Sequence, residues 1–138
     1  MQDQYRRLKI VKTIDPIVGN NTTEGTGVGV DLQGYEAATV AAHFGISGDT
    51  LSGSVYLTPG LEESDVLGSG YAAVAAADLL GAFTVIDAAA EDEVVQVVGY
   101  RGSKRYIRLV ITFTGTHTNG TPISGVVVLG KPRYAPTA

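Results

Sequence analysis

Tyr106-Ile107-Arg108-Leu109-Val110-Ile111-Thr112-Phe113-Thr114 carries the clearest structural signal in the chain. Ile107, Leu109, Ile111 and Phe113 fall on one side of a period-two pattern, and Tyr106, Arg108, Val110 and Thr112 on the other. One wholly apolar side and one mixed side predict an antiparallel strand with a core face and a wet face. A second apolar run, Glu93–Arg101, precedes it. Tyr100-Arg101-Gly102-Ser103-Lys104-Arg105 supplies turn-forming residues between the two, so the reading is a hairpin of Glu93–Arg101 and Arg105–Gly115. Beyond the polar loop Thr114–Pro122, the run Ser124–Lys131 closes the set.

Further strands follow toward the N-terminus. Tyr35–Phe44 is apolar nearly throughout, and Thr26–Leu32 alternates with Val28, Val30 and Leu32 on one face. Leu51–Thr58 carries Leu51, Val55 and Leu57; Ala82–Ala88 carries Phe83, Val85 and Asp87 on one face; Leu8–Ile14 and Tyr71–Ala76 give weaker patterns. Ala-rich Tyr71–Leu80, ending at Gly81, predicts a single helical turn around Ala77–Leu80. Gly fills 18 of 138 positions, and short Val- and Thr-rich runs recur between Gly, Asn, Asp and Pro. That spacing predicts an all-β chain: a single antiparallel β-sandwich, jelly-roll-like, of about eight strands. Its core domain is residues 25–131. Pro16, Gly19, Asn20, Asn21 and Gly25 break up residues 1–24, which read as an N-terminal arm. Residues 132–138, stiffened by Pro132 and Pro136, read as a C-terminal tail.

The composition excludes several classes of function. With no Cys, disulfide frameworks, zinc–thiolate sites and thiol nucleophiles are absent. A net charge of −4 argues against duplex nucleic acid as the main partner. The N-terminal residues lack the apolar stretch of a signal peptide, and no run reaches membrane-spanning length. Gly25-Thr26-Gly27-Val28-Gly29 runs on into a strand pattern rather than a helix, unlike a nucleotide loop. Glu62, Glu63 and Asp65 read as a solvated loop rather than a glycosidase pair or a calcium loop. His43 reads as a half-buried structural residue. His117, in a Gly-bounded loop, reads as exposed or in a subunit contact. Ser47, Ser52 and Ser54 fit no triad spacing. No catalytic, cofactor-binding or metal residues are expected.

Charge is sharply segregated along the chain. The ten Lys and Arg lie in three stretches: Arg6, Arg7, Lys9 and Lys12; Arg101, Lys104, Arg105 and Arg108; Lys131 and Arg133. Between Thr13 and Tyr100 stand 13 of the 14 acids and no base. Three readings follow: the bases pair with the acidic segments within one monomer, they meet an acidic surface on another subunit, or the short basic N-terminal arm, with Tyr5 as its one aromatic, meets nucleic acid. On the second reading, Arg6, Arg7, Lys9, Lys12, Arg101, Lys104, Arg105 and Arg108 are the interaction residues. Residues 1–12 alternate basic with apolar Leu8, Ile10 and Val11, a pattern suited to adding a strand to a neighbour's sheet edge.

Four segments, in this order, also resemble a known group: Asp31-Leu32-Gln33-Gly34-Tyr35-Glu36, Leu61-Glu62-Glu63-Ser64-Asp65, Gly99 through Arg108, and Val128 through Pro136. Together they resemble small structural proteins from the head modules of tailed bacteriophages and prophages. The chain departs from that pattern after Asp65, where Val66-Leu67-Gly68-Ser69-Gly70-Tyr71 replaces a continuation ending in Trp. The resemblance implies a capsid decoration or minor capsid protein, made in the host cytoplasm and carried on the virion surface. It implies the major capsid protein and further copies of the chain, as a homotrimer, for partners. The alternatives are a carbohydrate-binding module holding surface glycan and a neck or tail component.

Overall fold

The structure, a computed structural model, describes residues 3–134. Nine strands form two antiparallel sheets. They are β1 (Lys9–Gly19), β2 (Val30–Asp31), β3 (Tyr35–Phe44), β4 (Tyr56–Ser64), β5 (Ala72–Ala73), β6 (Leu79–Leu80), β7 (Val95–Tyr100), β8 (Tyr106–Thr114) and β9 (Thr121–Pro132). The wide sheet has the order β1-β9-β3-β7-β6 and the narrow sheet β2-β8-β4-β5. Apart from the short β6, pairing is nested: first strand with last, second with second-last, and inward to β4 with β5. That nesting is a jelly roll, with the chain passing between sheets at nearly every connection.

The core lies between the sheets. Ile107, Leu109 and Ile111 of β8 face Val40, Ala42 and Phe44 of β3 and Val127 and Leu129 of β9, all buried. Phe113, expected in that row, is half-buried at its end and meets His117 edge-on at 5.0 Å.

Several expectations are corrected. Glu93–Arg101 and Arg105–Gly115 are not a hairpin. β7 pairs with β3 in the wide sheet and β8 with β4 in the narrow one, so residues 101–105 cross between sheets. The N-terminal segment is not an arm over Lys9–Gly19. β1 pairs with β9 from Lys9–Leu129 to Gly19–Thr121, adding a strand to its own sheet rather than a neighbour's. Register shifts between Lys12 and Ile14 and between Ile14 and Ile17 absorb the broken alternation, and Pro16 is tolerated on an edge strand. Of Thr26–Leu32 only Val30–Asp31 is regular, and Val28 is exposed. β4 begins at Tyr56 and takes in Glu62 and Glu63, which are strand residues rather than a loop. In Ala82–Ala88 the buried side chain is Ile86, bridged to Leu57, while Val85 is exposed. The Ala-rich stretch forms a single 3-10 turn at Ala76–Asp78 between two short strands. β9 runs to Pro132, and Ala135 to Ala138 of the expected tail lie outside the described residues.

A candidate interaction surface and its cationic groove

In a sandwich the outward positions of each strand are normally polar. The narrow sheet obeys this rule. On its outer side the Arg108 guanidinium pairs with Glu62 at 2.6 Å and lies over the Tyr71 ring at 4.0 Å. Thr58 and Thr112, paired across β4 and β8, extend that polar surface.

The wide sheet breaks the rule. On β9 the outward positions are Val126 and Val128, on β3 Thr39 and Ala41, and on β7 Val95 and Val97. Register sets Ile10 beside Val128, Val128 beside Thr39, and Ala41 between Val97 and Val126. Leu80 covers Gly99, where a Cβ would stand 3.0 Å from the Leu80 Cβ. Ile10, Leu80, Val95 and Val97 are each more than half exposed. The ionisable side chains among these positions are Lys12, paired with Asp15 at 2.6 Å, and His43. His43 is exposed rather than half-buried. It lines an apolar notch with Pro16, Ile17, Val18 and Pro122. The surface is continuous, nearly uncharged and unlike the opposite face, which is the character of a contact surface.

At one end this face runs into a groove of about 720 Å³. Ala37, Thr39, Leu80 and Gly99 line its apolar part, and Arg101, Lys104, Arg105, Lys131 and Arg133, with the single acid Glu36, its charged rim. The crossover 101–105 builds the rim. Arg101 N–H donates to Asp78 O at 2.9 Å, Lys104 N–H donates to the Tyr100 hydroxyl at 3.0 Å, and Leu32 N–H donates to Arg105 O at 2.9 Å. Gly102 is required there, because a Cβ would stand 2.5 Å from that hydroxyl.

The segments that carry the family resemblance converge on this end. Arg105 donates to both Asp31 oxygens, at 3.1 and 2.9 Å, and this pairing holds the Asp31 carboxyl below its ordinary range. Lys104 pairs with Asp65 at 2.5 Å and Arg133 with Glu36 at 3.9 Å. The Tyr100 hydroxyl donates to Glu63 at 2.6 Å. Burial, then that hydrogen bond, pushes the phenol up. Lys104, Arg105 and Arg108 of the expected interaction set are therefore paired within the chain. Arg6 lies 3.8 Å from Asp3 and Lys12 pairs with Asp15. Arg101 and Lys131 of the rim have no ion pair among the described residues.

The opposite end is acidic. Strand register places Glu24, Asp49, Asp87, Glu91, Asp92 and Glu93 in its loops, with no Lys or Arg. Asp49 is structural: it accepts from the backbone N–H of Thr118, Asn119 and Gly120 at 2.8 to 3.1 Å. Asp92 accepts from Ser47 N–H at 2.9 Å, and the Ser47 hydroxyl accepts from Thr121. His117 is buried, not exposed. Its Nε2 donates to Thr114 O at 2.9 Å and its Nδ1 stands 3.7 Å from Asp49. Among the described residues no cluster of His, Asp and Glu has the geometry of a metal site.

A scan against family models finds no match, and searches of curated proteins and of solved structures find no significant one.

Proposed function

We propose that the protein is a virion structural protein, a decoration or minor capsid protein that seats the outer face of its wide sheet on the head lattice of a tailed bacteriophage. The observation that carries the reading is that face: continuous, Val-rich and almost free of charge on a small domain whose other face is polar and ion-paired. A surface of this kind loses little on desolvation and gains about 25 cal/mol per Å² of apolar area buried. The jelly roll supports the reading as an architecture common among capsid proteins. So does the convergence of all four resembling segments on one end of the molecule, where their ion pairs fix the groove.

The test is rebinding of purified protein to particles that lack it. Val97→Glu and Val126→Glu place a charge in the middle of the face and leave the core untouched, so folding is retained by circular dichroism and denaturation. Both variants are expected to lose particle binding. Wild-type protein that is missing from purified virions and fails to bind capsids would sink the reading.

A further inference from the structure

We propose that the cationic groove is the acceptor for the acidic segment 87–93 of a second copy of this chain. The inference does not depend on a virion, since it concerns only copies of this protein.

Charge complementarity is the first argument. Internal pairing leaves Arg101 and Lys131 on the groove rim without an ion pair among the described residues. Segment 87–93 exposes Asp87, Glu91 and Glu93, with no Lys or Arg in the loops of that end and His117 buried there. Shape and polarity agree. Glu91 folds back over the turn Ala88-Ala89-Ala90 and accepts from Asp87 N–H at 2.9 Å, so the segment presents the exposed Ala89 and Ala90 beside two adjacent carboxyl groups. The groove presents the converse, an apolar part beside a mainly cationic rim. Groove and segment lie at opposite ends of the strands, so one copy cannot fill its own groove.

Backbone strain gives the second argument. Two non-glycine residues among those described adopt left-handed backbone, Glu93 at φ 53° and Lys131 at φ 48°. One stands on each surface. Such conformations are uncommon for residues with a Cβ and cluster at binding sites and clamps. A contact between unlike surfaces is heterologous, and repetition closes it into a ring or extends it into a chain. The homotrimer that the resemblance implies would be a ring of this kind.

The experiment is analytical ultracentrifugation of the full chain over a concentration series at low and high salt. Association that weakens with salt is expected, because rim pairs are screened. Two double variants then locate the contact: Arg101→Glu with Lys131→Glu, and Glu91→Lys with Glu93→Lys. Each alone is expected to weaken association about tenfold or more, and all four reversals in one chain to restore it, since the reversed groove of each copy then fits the reversed segment of the next. Circular dichroism confirms that the variants are folded. A wild-type protein monomeric at every concentration and salt overturns the proposal. So does a groove variant that associates like wild type, or a fourfold variant that restores nothing. If the groove variant keeps self-association and loses only capsid binding, the groove serves the lattice and the proposal falls.

Discussion

Replacing Thr13 by Val measures how firmly β1 belongs to the sandwich. Thr13 is buried on an edge strand, and its hydroxyl ties the two sheets together: it donates to Val28 O at 2.9 Å and accepts from Leu109 N–H of β8 at 3.2 Å. Thr13→Val keeps the volume and removes both bonds. The Leu109 N–H is fully buried, and a buried donor left unpaired costs about 1–3 kcal/mol. The Val28 carbonyl lies nearer the surface and loses less, so the sum is about 2–4 kcal/mol. That is a large part of the ~5–15 kcal/mol that holds a domain together. Thr13→Ser keeps the hydroxyl and gives up one methyl group, worth about 0.8 kcal/mol. Urea denaturation of the three proteins, with slopes compared to confirm an unchanged transition, gives the differences directly. If Val and Ser cost the same, or if both cost less than about 0.5 kcal/mol, the hydroxyl bridge is unimportant and residues 9–19 behave as an arm.

Ile111→Ala is expected to cost about 2–5 kcal/mol, and Phe113→Ala less, because Phe113 is only half-buried at the end of its strand; the reverse order in denaturation would misplace the core. At acid pH, hydrogen bonds from Asn119, Gly120 and Thr118 hold the Asp49 carboxyl below its unfolded value of 3.8, so the stability it contributes is whole above that value and lost as pH falls through the folded one. Asp49→Asn should therefore flatten the stability profile below about pH 4, and a profile parallel to wild type would contradict the assignment. At alkaline pH the sign reverses for Tyr100. Its neutral form is favoured in the fold, so its contribution is whole below pH 10.0 and is lost as pH rises from there toward the raised folded value. Tyr100→Phe should remove that alkaline decline, and equal slopes for both proteins between pH 9 and 11 would show that burial of the phenol is not its cause.

Much of this architecture is legible in the residues. The bounds of β3 follow from a nearly continuous apolar run between Gly34 and Gly45, and the inward row Ile107, Leu109 and Ile111 from alternation. The sheet partner of β8 does not, because a short polar connection has the same composition whether it turns a hairpin or crosses between sheets; only the competition for partners settles that. β1 was obscured by Lys12-Thr13-Ile14-Asp15-Pro16, where bulges and an edge proline disrupt the period that marks a strand. The charge map reads correctly as segregated, but which base meets which acid depends on the crossover, and that brings Arg105 to Asp31 and Lys104 to Asp65. The apolar outer face left a signal that was open to reading. Val126-Val127-Val128-Leu129 is apolar at both parities, as is Val94-Val95 with Val97-Val98, and a strand of a one-sided sandwich has no need of its second apolar row. His117 gave no such signal, since its burial comes from loops folding over Phe113 rather than from any pattern around it.

The position of β9 governs how the chain can be made. It lies between β1 and β3, yet it is the last of the nine described strands to be synthesised. Until it arrives the wide sheet exists as two pieces, with β1 lacking its sheet partner and the backbone of β3 open along one side. The nascent protein therefore waits with a strand-sized slot at its centre, and Val40, Ala42 and Phe44 border that slot. Non-local closure of this kind is slow, and open edges invite pairing with the wrong chain. The segment best shaped to enter the slot is the β9 of another copy. Crowded synthesis favours that exchange, and prompt synthesis of residues 121–132 opposes it. Truncation before Thr121 leaves the slot permanently open, so a shortened chain is expected to aggregate rather than to persist as a smaller sandwich.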